Sequence, residues 1–204
     1  GVQTCALPIS GLKAAVIDIE AYAMLAALAL IQPANRPGPL AQNVAIIDIG
    51  ANVMTTSVVR NATILYSREQ QFGGMALSRA IVRHYGVTLE QAESMKRSQN
   101  RPPDYRATVL NPFIGNAVLE VQRALQFYQE TSRGAQIHQI LLTGGSAVAE
   151  GLSDAVSVAS GIAAMPANPF LPMKISSAVA RARLFEDAPA LLVACGLATC
   201  KGFA

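Results

Sequence analysis

Short apolar runs alternate with longer helix-like stretches along most of the chain. Three strand-like runs, VAIIDIG, VMTTSVVR and TILYSREQ, are separated only by GAN and by Arg60, Asn61 and Ala62, which are short enough for hairpins. A further run, IHQILLTGG, comes much later, and AAVIDI forms a short apolar run near the start. We therefore predict three consecutive antiparallel strands, with one strand before them and one after.

The intervening segments have helical composition. EAYAMLAALALI is rich in alanine and leucine and is expected to end at Pro33. FGGMALSRAIVRHYG predicts a glycine turn and an amphipathic helix ending at Gly86, and TLEQAESMKRS predicts a helix capped by Thr88 with Gln91 three residues on. Further helices are predicted over 104–131, bent near Pro112, over AVAEGLSDAVSVASG, and from about Pro189 to Cys200. Helices mixed with hairpins indicate the α/β class.

Composition narrows the possible functions. Hydrophobic residues make up 51% and charged residues 14%, which indicates that part of the surface is normally covered. The 16 basic and 13 acidic residues leave a net charge of +3 without a basic run, so neither nucleic acid nor an acidic membrane surface is favoured as a partner. The longest apolar run, Ala21–Ile31, is shorter than the roughly 18–20 residues of a membrane span. Cys195 and Cys200 have no zinc-type spacing and are interpreted as reduced thiols.

The first ten residues are interpreted separately. GVQTCALPIS lacks the basic segment and apolar core of a secretion signal. It resembles the translation of a common sequencing-adapter oligonucleotide. We interpret Gly1–Ser10 as an assembly scar and exclude it from the fold.

The strand ending in DIGAN is the first candidate ligand site. Asp48 would project a carboxylate from the sheet edge, while Gly50 lets the backbone N–H groups of a tight turn form an anion cradle. Asn52 in the turn and Thr55 on the next strand would add polar groups. Asp48 would hold a hydrated Mg²⁺, which prefers one or two carboxylates plus phosphate oxygens. The alternative is an ordinary turn in which aspartate makes local hydrogen bonds.

LLTGGSAVAEGL is the second candidate. A strand enters a paired-glycine turn and then a helix, so Gly144, Gly145 and Ser146 would stand at a helix N-terminus, where an anion gains about 0.3–1 kcal/mol. The segment is neither a Walker A motif nor a dinucleotide fingerprint. The alternative is a glycine-containing loop without a ligand.

The order of these motifs resembles the second half of the actin, Hsp70 and sugar-kinase superfamily of ATP-binding proteins. IDIEAYAMLAAL, IIDIGANVMTTSVV, AESMKRS, LLTGGSAVAEGL and ALLVACGLAT carry the resemblance, with four of five signature elements present. It implies an actin/Hsp70-like (ribonuclease H-like) ATPase fold, mainly its second domain plus the interdomain helices.

The same resemblance implies roles for individual residues. Glu20 would begin the first interdomain helix and is the catalytic candidate, and Ala194–Ala198 would lie in the second. Asp48 and Gly50 would belong to the second phosphate loop, and Gly144 and Gly145 to the adenosine loop. AESMK points to Glu93 and Lys96 as nucleoside contacts. The alternatives are a solvated ion pair for Glu93 and Lys96, and favourable helix-terminus electrostatics for Glu20.

A finer resemblance covers nearly all of residues 11–204. YSREQQFGG, HYGVTLEQAESMKR, NPFIGNAVLEVQRALQFY and DAPALLVACGLA are similar to the PilM family of type IV pilus assembly proteins. The resemblance implies a cytoplasmic ATP- and Mg²⁺-binding scaffold, at most a slow ATPase, needed for pilus biogenesis and twitching motility. It would bind the cytoplasmic N-terminal tail of PilN and other pilus components at the inner face of the bacterial inner membrane.

The family's first phosphate loop and first subdomain have no counterpart here, so we expect an inactive fragment. Residues 11–40 would end the first domain with an interdomain helix and linker. Residues 41–175 would form the second domain, with a helical insertion at about 74–135, and residues 176–204 would carry the second interdomain helix. The alternatives within the superfamily are a small-molecule (sugar-type) kinase and a cell-division actin homologue.

Overall fold

The structure is a computed structural model that describes residues 18–31 and 42–199. The interpreted scar Gly1–Ser10, most of the predicted strand AAVIDI, most of the predicted linker from Pro33 to Asn43, and Cys200 lie outside these ranges.

The described residues form a five-stranded mixed sheet in the order β3-β2-β1-β4-β5. The strands are β1 (Val44–Ile49), β2 (Met54–Arg60), β3 (Thr63–Gln70), β4 (Gln139–Thr143) and β5 (Ala164–Pro166). β2 is antiparallel to β1 and β3, whereas β4 runs parallel to β1 and β5 parallel to β4. The three predicted antiparallel strands are confirmed.

Burial explains the position of each strand in the sheet. β1 reads VAIIDI and is buried along its length except for the half-buried Asp48, as expected of a central strand covered on both faces. β3 exposes many of its side chains and lies at the edge. β1 therefore brings Asp48 to the middle of one end of the sheet.

Seven α-helices are present in the described residues. They are α1 (Glu20–Ile31), α2 (Met75–Tyr85), α3 (Leu89–Arg97), α4 (Asn111–Thr131), α5 (Leu152–Ser160), α6 (Arg181–Glu186) and α7 (Leu192–Thr199). None of them is both long and apolar enough to cross a membrane. Residues of α2, α4 and α5 form one core with alternate residues of β1, β2 and β4. Residues of α1 and α7 form a second core with Val44, Ile46, Val59 and Leu141. The sheet is therefore enclosed between two helical layers.

α1 and α7 pack very closely. A Cβ added to Gly196 of α7 would overlap the backbone carbonyl of Ala23 in α1, so only glycine permits this approach. The outer side of the pair is apolar, with Tyr22 56% exposed and Leu197 47% exposed. The two helices predicted as interdomain helices thus form one unit.

The helix predicted over 104–131 begins with a π-helical turn, Arg106–Leu110, and continues as α4. The N–H of Asn111 donates to the carbonyl of Arg106, and Pro112 has no N–H to continue the ladder at that point. The π-helical turn accommodates Pro112 at the position where the sequence predicted a bend. The capping box of Thr88 and Gln91 on α3 and the left-handed Gly86 after α2 agree with the sequence pattern.

The helix predicted from Ala147 is wrong at its start. α5 begins at Leu152, after Gly151 in the left-handed conformation with φ 82°. Residues 144–151 instead form successive turns, in which the N–H of Ala147 donates to Gly144 and the N–H of Ala149 donates to Ser146. Because Gly151 has a left-handed backbone conformation, the helix cannot extend through it to the residues before it. β5 and α6 were not predicted.

Candidate functional site

Asp48 lies at the end of β1 between two threonines. It is opposite Thr55 on β2 and opposite Thr143 on β4. Its carboxyl group shares a side-chain hydrogen bond with Glu20, the first residue of α1. Burial, followed by the negative charge of Glu20 and this hydrogen bond, raises the pKa of Asp48 to about 6. The structure thus brings together the predicted Glu20, Asp48 and Thr55.

The β1–β2 turn forms a compact hairpin. The N–H of Gly50 donates to Val53 O at 3.0 Å, and the N–H of Gly74 donates to Gly50 O at 2.9 Å. A Cβ on Gly73 would overlap the carbonyl of Ala51. The FGG segment therefore packs directly on the hairpin and fixes where α2 begins, while Asn52 stays exposed beside an open groove of about 390 Å³.

The loop after β4 lies against this hairpin. Gly144 has φ 87°, and a Cβ there would overlap the Asp48 carboxylate and the Ile49 carbonyl. The N–H of Ser146 donates to Ile49 O at 3.2 Å. The carbonyl of Pro189, in the segment before α7, also holds the loop, since it accepts from the N–H of Gly144 at 3.0 Å. Two glycine turns far apart along the chain thus meet at Asp48.

Glu93 and Lys96 on α3 form a third part of the site. Lys96 Nζ donates to Glu93 Oε2 at 3.0 Å, to Ser78 Oγ at 3.0 Å and to Gly74 O at 3.3 Å. Ser78 donates to the Glu93 carboxylate. A Cβ on Gly74 would overlap Ser146 Oγ, so this cluster adjoins the loop after β4.

The charge of Glu93 is held by these contacts. Burial raises its pKa, but hydrogen bonds from Ser78 and Lys96 and the nearby positive charges leave the pKa below its ordinary value. The alternative interpretation of Glu93 and Lys96 as an ion pair is therefore realised geometrically, but the pair is half-buried and connects α3 to the start of α2. It is not a simple solvated helix pair.

The prediction that Gly144 and Gly145 stand at a helix N-terminus is wrong. α5 begins at Leu152, so neither glycine stands at its N-terminus. Gly145 is exposed, and a Cβ there would meet no atom within 4 Å. What Gly144 provides is close backbone approach to Asp48, because any side chain would occupy the space of the carboxylate.

Sequence reasoning missed two polar groups of this region. Ser78 is fully buried in α2 and contacts both Glu93 and Lys96. Thr143 is buried beside Asp48 and donates to Pro189 O at 2.6 Å. A serine four residues after a paired glycine, on the buried face of an amphipathic helix, was the available signal for Ser78. Nothing local marks Thr143, whose role depends on Pro189.

The carboxylates of Asp48 and Glu20 are suitable ligands for a Mg²⁺ ion that is also bound to phosphate. Among the described residues no three His, Cys, Asp or Glu side chains form a group that could enclose a metal ion. Mg²⁺ needs fewer protein ligands than that, since it keeps several waters and uses phosphate oxygens. Burial and the negative charge of Glu20 oppose the ionisation of Asp48, and a divalent cation bound there would offset this effect.

Asp48→Asn is expected to change how stability depends on pH. The pKa of Asp48 is about 6 in the folded chain against the ordinary 3.8, so the wild type loses stability as the pH rises from about 4 to 6 and the folded carboxyl must ionise. Asparagine keeps a polar partner for Glu20 and cannot ionise. Urea unfolding should show the variant more stable by about 1–2 kcal/mol at pH 7.5, with no advantage below pH 4. A constant difference at all pH values would contradict the shifted pKa.

Comparisons with known proteins place the chain in a family. The model of the type IV pilus assembly protein PilM family matches residues 2–201. The structure of a PilM–PilN type IV pilus biogenesis complex is similar at 25% identity and a TM-score of 0.77, covering 95% of this chain and 55% of the matched chain.

Two other structures share the fold. Ethanolamine utilization protein EutJ from Carboxydothermus hydrogenoformans has 21% identity and a TM-score of 0.66, covering 95% of this chain and 58% of its own. The archaeal actin homologue Ta0583 in complex with ADP has 17% identity and a TM-score of 0.52, and the match covers 83% of this chain and 54% of the Ta0583 chain. The chain therefore spans a little over half the length of its matches, and the actin-like α/β fold is confirmed. With its family model matched over nearly the whole length, the chain belongs to the type IV pilus assembly protein PilM family.

Proposed function

We propose that this chain supplies the second-domain half of an ATP-binding, actin-like scaffold of the type IV pilus machine. One observation carries the proposal. The hairpin at Gly50 and the loop at Gly144 come from distant parts of the chain, yet they touch at Asp48. Two backbone turns that meet beside a carboxylate form a surface suited to a triphosphate with its Mg²⁺. The ADP bound by the actin homologue Ta0583 supports this choice of ligand.

The residues around Asp48 would act on the phosphates. Asp48 would hold Mg²⁺ through water, and Gly50, Asn52 and Thr55 would contact the phosphate chain from the hairpin side. Glu20, which already shares a hydrogen bond with Asp48, would orient a water molecule or extend the metal shell. The resemblance to the superfamily implies at most a slow ATPase.

The nucleoside would lie on the other side of the loop after β4. Gly144, Gly145 and Ser146 would form one wall of this part of the site, and Glu93 and Lys96 the other. The close approach of Gly74 to Ser146 supports the assignment, since Gly74 also accepts from Lys96 and so connects the two walls.

A first domain would cover the apolar outer face of α1 and α7. Ile19, Tyr22 and Leu197 are 64%, 56% and 47% exposed on or next to these helices. Exposed apolar area of this kind marks an interaction surface. The matched PilM chain has almost half its length outside the part covered here. ATP held between the two domains would stabilise the closed state because it contacts both sides only there.

The proposed partner is PilN, because a PilM–PilN complex is similar to this chain over 95% of its length. The cytoplasmic N-terminal tail of PilN would recruit the protein to the inner face of the bacterial inner membrane, together with other pilus components. The role in pilus biogenesis and twitching motility follows from that position. The resemblance assigns the PilN groove largely to the first domain, so no residue of this chain is proposed to form it.

Calorimetry tests the ATP site in the complete protein that joins this chain to a first domain. The wild type should bind ATP in the presence of Mg²⁺, whereas the present chain alone should bind weakly or not at all. Asp48→Ala in the complete protein should cost about 1.5–3 kcal/mol of Mg²⁺-dependent affinity, the scale of a hydrogen bond to a charged group. A folded Asp48→Ala protein with unchanged affinity would remove Asp48 from the site, and tight binding by the present chain alone would contradict the need for a first domain.

A further inference from the structure

Glu150 joins two segments that lie far apart in the chain. It stands near the end of the turns that follow β4, and its carboxylate accepts a hydrogen bond from Arg106 Nη1 at 2.6 Å. Arg101 Nη1 lies 3.6 Å from its other oxygen. Both arginines follow α3, so one carboxylate connects the segment after α3 to the loop after β4.

Arg101 is in turn fixed to the end of α3. Its Nη2 donates to the carbonyl of Lys96 at 2.7 Å and its Nε to the carbonyl of Met95 at 3.4 Å. The guanidinium lies 5.1 Å from the ring centre of Tyr105. Its side chain is 26% exposed, against 60% for Glu150. Arg101 therefore moves with the last turn of α3, the turn that contains Lys96.

We propose that Glu150, through Arg101 and Arg106, is a positioning residue that sets the separation between α3 and the loop after β4. This inference rests on the proposed function, in which these two segments are the walls of the nucleoside side of the ATP site. Lys96 stands on the first wall and Ser146 on the second, and no covalent link other than the long intervening chain holds them together. The Glu150 contacts connect these two segments a second time, in addition to Gly74, which approaches Ser146 and accepts from Lys96.

The triphosphate side has its own anchors. The N–H of Gly50 donates to Val53 O at 3.0 Å, and Gly50 O accepts from the N–H of Gly74 at 2.9 Å. The pairing of β1 with β2 holds Asp48 opposite Thr55. Loss of the Glu150 contacts should therefore loosen the nucleoside side and leave the phosphate side in place. Ion pairs this exposed contribute little to global stability, so their removal should be visible in binding before it is visible in unfolding.

The test compares two ligands in the complete protein. Calorimetry with Mg²⁺ should show that Glu150→Gln and Arg106→Gln weaken ATP binding by about three- to tenfold, the range given by one or two modest ion pairs. Binding of inorganic tripolyphosphate, which has no nucleoside, should stay within about twofold of the wild type on the same scale. Arg123→Gln is the matched control, since it breaks a 2.6 Å pair with Glu120 on α4, a helix that contributes no residue to the proposed ATP site.

Three results overturn the inference. The first is unchanged ATP affinity in Glu150→Gln. The second is an equal loss for ATP and tripolyphosphate, which would indicate general loosening of the fold, and the third is an equal loss in the Arg123→Gln control. If the wild type itself binds no ATP, the proposed function fails and the inference fails with it. Binding by the wild type with no effect of the variants removes only the role of Glu150.

Discussion

Gly196→Ala is expected to lower the free energy of unfolding by about 3 kcal/mol or more, at the upper end of what overpacking costs. The added Cβ would overlap the carbonyl carbon and oxygen of Ala23. Both positions are helix backbone, so no side-chain rotation can relieve the overlap and the two helices must separate. That separation would open the core that α1 and α7 form with Ile46 and Leu141. Urea or thermal unfolding of the purified chain measures the loss.

Gly115→Ala is the matched control for this variant. Gly115 also lies within a helix, α4, but a Cβ there would meet nothing within 4 Å. Alanine is the better helix former, so this change should stabilise the chain by about 0.5–1 kcal/mol. Opposite signs for the two substitutions are the expected result. Equal effects would mean that the close approach of α1 and α7 does not contribute to stability.

Gly144→Ala is expected to damage both the fold and the proposed site. The residue has φ 87°, a conformation that costs a non-glycine residue roughly 1–3 kcal/mol, and the added Cβ would overlap the Asp48 carboxylate and the Ile49 carbonyl. We expect a loss of about 3 kcal/mol in the free energy of unfolding, and a loss of at least about tenfold in the ATP affinity of the complete protein, since Asp48 must move. Unfolding curves and calorimetry on the same preparation separate the two effects.

Gly145→Ala tests whether the effect belongs to this position or to any glycine in the loop. Its Cβ would meet nothing within 4 Å, and its φ is not in the left-handed range. Its stability should stay within about 0.5 kcal/mol of the wild type, as for an ordinary surface substitution. A Gly144→Ala protein as stable as Gly145→Ala would contradict the packing of this loop on Asp48.

Elements with their own local signals were predicted well. The apolar runs of β1 and β2, the Thr88–Gln91 capping box and Gly86 after α2 each act within a few residues, so the pattern determines the structure there. β5 has only three residues and includes Pro166; its pairing comes from β4, which the local pattern cannot show. The late start of α5 has a similar cause, because Gly151 adopts a conformation that glycine permits but does not require.

The candidate site divides in the same way. Asp48, Gly50 and Gly144 could be chosen from sequence because a carboxylate or glycine at a strand end has a physical meaning by itself. The resemblance to ATP-binding proteins singled out Glu20, Glu93 and Lys96. The sequence pattern does not show that Glu20 contacts Asp48, or that Glu93 and Lys96 contact Ser78, because these contacts depend on how the helices pack. Glu150 was not predicted, since its partners lie more than forty residues earlier in the chain.

The neighbours of β1 have a consequence for biosynthesis. β1 pairs on one side with β2, the next strand made by the ribosome, and on the other with β4, where Val44 faces Gln139. The three strands β1, β2 and β3 can therefore pair early in synthesis. The other edge of β1 stays unpaired until β4 has been synthesised, after the helices that precede it. During that interval the backbone N–H and C=O groups on this edge of β1 can pair with another extended chain. Nascent chains should need chaperone protection until β4 has left the exit tunnel.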